Sequence, residues 1–186
     1  MINVLLTSSS FIKSITNISD NLQDKVILPA LREAQEIDLK SVLGEKLLNK
    51  IKELIKDNEI NDDEYAAYKD LLEQCQYFLA YQTISRLCII VSYHIDNLGI
   101  SKQRDENLDY ASFSDITQLE QYYQQKADFY KLEVQNFCLN NRQALPELTD
   151  CACHKIQSNL WSMATSGLFL GGRRGKILNN KINPYK

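Results

Sequence analysis

Between Asp24 and Gly44 the chain reads DKVILPALREAQEIDLKSVLG, and this stretch constrains what can follow it through its apolar spacing, its internal proline and its closing glycine. Leu22, Val26, Ile27, Ala30, Leu31 and Ala34 recur at helical spacing behind Asp20, a capping candidate, and form one apolar stripe. Pro29 falls inside that stripe. It lacks an amide hydrogen and its ring crowds the carbonyl four residues back, which predicts a kink; the alternative is a helix starting there with proline in its first turn. Gly44 fits a helix-ending position with positive φ. Leu43, Leu47, Leu48, Ile51, Leu54 and Ile55 then set up the next amphipathic helix, whose other face, Glu45, Lys46, Lys50, Lys52, Glu53 and Lys56, reads as solvated surface.

The same periodicity places the other helices. Thr7 is the expected cap of a short helix carrying Phe11, Ile12 and Ile15. Asn61, followed by Asp62, Asp63 and Glu64, combines a capping side chain with negative charge at the positive end of a helix dipole. From there Tyr65, Tyr68, Leu72, Cys75 and Leu79, then Ile84, Leu87, Val91, Ile95 and Leu98, predict a helix stopped by Gly99 or interrupted near Gln82. Unbroken, it would hold about 36 residues and span roughly 54 Å. Residues 99–113 lose the periodicity and read as a loop or a small hairpin. Ser114 is the expected cap of a last long helix bearing Ile116, Leu119, Tyr123, Ala127, Tyr130, Val134 and Phe137, with Pro146 beyond its end. Leu168-Phe169-Leu170, set between small residues, suits a short strand, and residues 171–186 have no apolar period.

These elements predict an all-α fold: a helical bundle with one very long central helix, a loop or small hairpin near 99–113, and an extended C-terminal arm. Six glycines and three prolines in 186 residues favour long helices over a turn-rich β-architecture. The length suits one domain, drawn here as a helical body over 1–145, an irregular segment 146–170 packed on it, and a basic arm 171–186.

Charge is unevenly distributed. After Asp150 there is no Asp or Glu, while Lys155, Arg173, Arg174, Lys176, Lys181 and Lys186 bring +6, so a chain of net charge −3 carries −9 on residues 1–150. An acidic body with a basic tail predicts an acidic partner for the tail. Five cysteines, an odd number, and no basic-then-apolar leader predict a reducing, intracellular origin. No apolar run approaches about 18 residues, so no membrane helix is expected.

Few residues suggest chemistry. Cys151, Cys153 and His154, with Cys138 upstream, are possible zinc ligands by type. A structural zinc site needs two ligand pairs with wider spacing, and C-x-C-H supplies one tight cluster, so they are weak candidates and no metal or cofactor is expected. Only His94 and His154 could serve a thiol as base, and nothing ties either to a cysteine. Tyr123 and Tyr130 fall on the core stripe of the last helix, whereas Tyr122 lies off it and is a candidate contact residue. Gly171-Gly172-Arg173-Arg174-Gly175-Lys176 lacks the spacing of a phosphate-binding loop. As a cationic arm, Arg173, Arg174 and Lys176 are suited to hold carboxylate or phosphate, and the same charges suit a merely solubilising tail equally well.

Ile27-Leu28-Pro29-Ala30 with Glu33-Ala34-Gln35, Asp38-Leu39 and Leu43-Gly44, then Leu79-Ala80-Tyr81, then Gly167-Leu168-Phe169-Leu170-Gly171-Gly172, together resemble the head–tail connector (adaptor) proteins of tailed bacteriophages, most closely those of crAss-like phages of gut Bacteroidales. The resemblance implies a non-enzymatic virion protein, made in the host bacterial cytoplasm and located in the neck or tail. It implies a helical subunit that assembles, usually as a dodecamer, into a ring under the portal protein and beside further tail or ring proteins. Genomic DNA would pass through the channel without sequence-specific contacts, with no membrane involved. In such a ring the arm around Arg173, Arg174 and Lys176 is expected to reach a neighbouring subunit or an acidic portal. The alternative function is a small intracellular nucleic-acid-binding or regulatory protein using the same basic arm.

Overall fold

A helix of 25 residues, α5 (Ala66–Ile90), runs through the middle of the protein, and α1 (Ser9–Ile15), α2 (Asp24–Glu33) and α6 (Phe113–Asn140) pack around it. The computed structural model describes residues 4–91, 93–96, 99–102 and 112–148. Ahead of α5 lie α1 (Ser9–Ile15), α2 (Asp24–Glu33), a π-helical turn (Ala34–Leu39), α3 (Lys40–Leu43), α4 (Glu45–Lys56) and a 3-10 turn (Asp63–Tyr65). After it come a two-stranded antiparallel hairpin, β1 (Tyr93–Asp96) and β2 (Gly99–Lys102), and α6 (Phe113–Asn140). The architecture is an all-α helical bundle that carries, among the described residues, one small hairpin.

The central helix is wrapped rather than half-buried, and its composition shows it. Phe78, Leu79, Ala80, Gln82, Thr83, Ile84 and Ser85 are all buried, which one face of a helix could not accommodate. Hydroxyls among them are satisfied: the Thr83 hydroxyl donates to Leu79 O at 2.6 Å and the Ser85 hydroxyl to Gln124 Oε1 of α6 at 3.1 Å. Gln82 interrupts the apolar pattern without interrupting the helix. The helix ends at Ile90, short of the expected Leu98, because β-branched Ile89, Ile90 and Val91 are followed by the alternation Tyr93, Ile95 that suits a strand. The hairpin therefore starts six residues before the loop region expected at 99–113. Of that region, 103–111 lies outside the described residues.

Helix starts shift by a few residues for identifiable reasons. Ser8, rather than Thr7, caps α1 by accepting from Phe11 N at 3.1 Å. Ser112, rather than Ser114, caps α6 in a reciprocal box: its hydroxyl accepts from Asp115 N and the Asp115 carboxylate accepts from Ser112 N at 2.8 Å. That hydrogen bonding holds the Asp115 carboxyl below its usual range. Neither Asp20 nor Asn61 caps a helix; α2 begins at Asp24 and α5 follows the 3-10 turn. Gly44 does close α3 and open α4, at φ 82°, a region in which a side chain would clash.

Helix α2 continues through the exposed Pro29, and the departure from α-geometry falls five residues later. The buried apolar positions run Ile27, Ala30, Leu31, Ala34 and then Leu39, Val42, Leu43. The step from 34 to 39 is one residue too long for an α turn, and i→i+5 bonding absorbs it. The turn then aims three polar side chains at three different elements. Gln35, buried, accepts from Leu6 N and donates to Val4 O, both at 2.9 Å, giving the extended N-terminal segment the partner a strand would supply. Glu36 pairs with Lys52 of α4, and Asp38 takes Arg86 of α5 in a bidentate pair at 2.9 and 3.1 Å, with Glu33 adding a bond at 3.1 Å.

Lys52 is therefore not on a solvated face: it is 2% exposed beneath Glu36, which is itself 37% exposed. Burial opposes the Glu36 charge, yet hydrogen bonds from Lys52 and Gln35 hold its carboxyl below the ordinary 4.5. A depressed folded-state value means that this pair stabilises fully above about pH 4.5 and that its contribution is lost as pH falls through the folded value. Glu36→Ala should cost about 2–3 kcal/mol, less than the ~3–5 of a fully buried pair because Glu36 keeps solvent contact, whereas replacing both partners, Glu36→Leu with Lys52→Met, should be near neutral. Urea melts from about pH 7 to pH 3 should show a flattened acid limb in Glu36→Gln; an unchanged limb would remove Glu36 from the acid response.

Candidate interaction surface

Helix α6 packs on α5 through Ile116, Tyr123, Ala127, Val134 and Cys138, all buried. A second series runs along the same helix on its outer side: Gln118, Tyr122, Gln125, Phe129, Leu132 and Asn136, all exposed. These steps of four and three residues keep one line on the helix surface, about 27 Å long, and match the spacing by which one helix seats against another. The line carries no charge. Tyr122 is 51%, Phe129 57% and Leu132 58% exposed.

Aromatic contacts stiffen this face from behind. Tyr130, half-buried, stacks on Tyr77 and Tyr81 of α5 with ring centroids 5.4 and 5.3 Å apart. Phe129 meets the Tyr130 ring edge-on at 5.3 Å, and Phe11 of α1 meets Tyr77 edge-on at 5.6 Å. Tyr122 is turned against Tyr123 at 5.3 Å, and Lys126 Nζ lies 4.4 Å from the Tyr122 ring centre and 5.3 Å from that of Tyr81. Burial, then the neighbouring Tyr81 and Tyr77 hydroxyls, pushes the Tyr130 hydroxyl up, and a hydrogen bond with Tyr122 raises Lys126, so Tyr130 stays neutral and Lys126 charged across physiological pH. The rings are thus held in place before any partner arrives, which lowers the entropy lost on binding.

Of the residues singled out in the sequence, Tyr122 sits on this exposed line. Tyr123 is core, while Tyr130 is shared between core and surface. Leu119, expected in the core, is half-exposed. His94 falls on β1 rather than on the long helix. Cys138 is buried in the core. Arg173, Arg174, Lys176, Cys151, Cys153 and His154 lie outside the described residues, as does the short strand expected at Leu168 to Leu170. Among the described residues, no group of three or more His, Cys, Asp or Glu is arranged to hold a metal ion. Phe129 and Leu132 on the exposed line, and Lys126 beside it, are surface residues that sequence reading missed. The signal for Phe129 and Leu132 is the second series, whose members Tyr122 and Phe129 each sit one residue before a ring of the core stripe.

The fold and this face define a small, mainly helical domain with a helix surface left exposed among the described residues. The chain belongs to the DUF6712 family, a family of unknown function, whose model matches residues 39–157 and so includes α4, α5 and α6. No curated protein and no solved structure matches the chain. No helix among the described residues is long and apolar enough to cross a membrane.

Proposed function

We propose that this protein is a non-enzymatic structural subunit of a tailed-bacteriophage virion, assembling into a head–tail connector ring that joins the portal to the tail and continues the DNA channel. The observation that carries this reading is the uncharged line Gln118, Tyr122, Gln125, Phe129, Leu132 and Asn136 on a helix whose opposite side already packs on α5. Preset aromatic rings framed by amide side chains suit a lasting protein contact, where aromatic residues are enriched and charges are few. The acidic body and basic tail fit the same role, since Arg173, Arg174 and Lys176 then reach a neighbouring subunit or the portal. The resemblance of the Ile27-Leu28-Pro29-Ala30 and Gly167 to Gly172 motifs to connector proteins supplies the position in the virion.

Electron microscopy and light scattering of the purified chain, alone and with its portal, test this directly. Closed rings, or rings formed on the portal, are expected. A protein that stays monomeric and ignores the portal would overturn the reading. Deleting residues 171–186 should leave folding unchanged while portal docking or ring closure is lost; a deletion variant that docks normally removes the arm from the contact.

A further inference from the structure

Where the segment between α1 and α2 crosses the junction of α5 and α6, the protein holds an open apolar cavity of about 530 Å³. Ile18 and Leu22 wall it from one side, Ile84 and Leu87 from α5, and Leu119 and Tyr123 from α6. This accounts for Leu119, which has the spacing of a core residue but faces the cavity. Cys88 lies in the wall, Asp115 stands at the edge, and Glu120 is near enough to Cys88 to add to the effect of burial in pushing that thiol up. The volume is that of a ligand pocket, about 300–1,000 Å³, and its lining offers a ligand apolar contact with acid at the mouth.

The chain itself contains a segment of matching chemistry. Leu168-Phe169-Leu170 is a compact apolar triplet between Gly167 and Gly171-Gly172, where missing side chains permit close backbone approach, and Arg173 and Arg174 follow directly. An apolar plug followed by two guanidinium groups complements an apolar cavity with Asp115 and Glu120 beside it. The 19 residues from 149 to 167 could extend up to roughly 63 Å, more than the ~37 Å of α5, so reach does not limit the contact.

We propose that the cavity receives Leu168-Phe169-Leu170 of a second copy of this chain, with Arg173 and Arg174 of that copy at the acidic edge. The proposal rests on the ring reading and makes it specific. A pocket on one part of the chain and its plug on another form a heterologous, head-to-tail contact, the type that closes into rings.

A disulfide trap tests it. In a full-length Cys151→Ser/Cys153→Ser background, Phe169→Cys is paired with the Cys88 already in the wall, and the protein is oxidised by an added small-molecule disulfide at alkaline pH, because burial pushes the Cys88 thiol up. A ladder of covalent oligomers on a non-reducing gel is expected, and it should vanish when Cys88→Ser is added. Closure within single chains, or no closure in an assembled protein, overturns the docking proposal, and rings seen by light scattering without a ladder leave the ring reading standing. If the protein is monomeric, a synthetic peptide of residues 165–176 is added to it instead. Slowing of Cys88 alkylation by about tenfold or more would uphold the pocket while the ring reading falls, and no protection would end both.

Discussion

Tyr122→Glu combined with Phe129→Glu should abolish assembly while the isolated subunit still folds. Both side chains are more than half exposed, so their replacement removes little core contact. The expected loss is about 1 kcal/mol, chiefly the edge contact of Phe129 on Tyr130 and the Tyr122 contacts with Lys126. In an assembled face the same carboxylates would be buried without partners. That costs several kcal/mol per contact, and each ~1.4 kcal/mol is tenfold in affinity, so a loss of about 10³-fold or more is expected. Sedimentation velocity reads the assembly and a thermal melt reads the fold. Rings that survive the double substitution would place the subunit contact elsewhere on the molecule.

Phe78→Ala should be the most damaging single truncation of the core. Phe78 is among the largest fully buried side chains, and it lies where α5 is enclosed on all sides. A wrapped helix has less freedom to collapse into the void, so the expected loss is at the upper part of the ~3–5 kcal/mol range for such truncations. Urea unfolding at neutral pH measures it through a shift in midpoint at constant slope. A loss below about 1 kcal/mol would mean that α5 is not the centre of the core.

Much of this fold was legible because periodicity reports burial. Leu47, Leu48, Ile51 and Leu54 stepped along one side of α4 and are buried there, and Gly44 marked the turn between α3 and α4 by its need for positive φ. The signal weakened where burial stopped being one-sided. Gln82 and Thr83 broke the apolar pattern of α5, and Phe78 fell off its stripe, because that helix is covered all round and a polar residue can be buried once hydrogen-bonded. Lys52 was misread for a related reason: a lysine reads as surface until the acid that covers it, Glu36, is brought in by a turn sixteen residues earlier. The end of α5 was blurred because Ile89, Ile90 and Val91 satisfy a helical stripe and a strand equally. Of the candidate surface, Tyr122 was visible as an aromatic residue off the stripe. Phe129 and Leu132 needed the knowledge that the other side of α6 was already occupied.

The π turn also bears on how this chain can change in length. Gln35, Glu36 and Asp38 reach the N-terminal segment, α4 and α5 from neighbouring positions only because one additional residue is accommodated between Ala34 and Leu39. Removing any one residue from 34–39 would let the turn relax to an ordinary α turn and keep the apolar positions on either side on one stripe, but it would remove or redirect the side chains that make the three anchors. The backbone could thus absorb a one-residue deletion here, at the expense of the anchors. The extra residue serves the anchors rather than the stripe: its loss would leave a regular helix that no longer ties the N-terminal segment, α4 and α5 together.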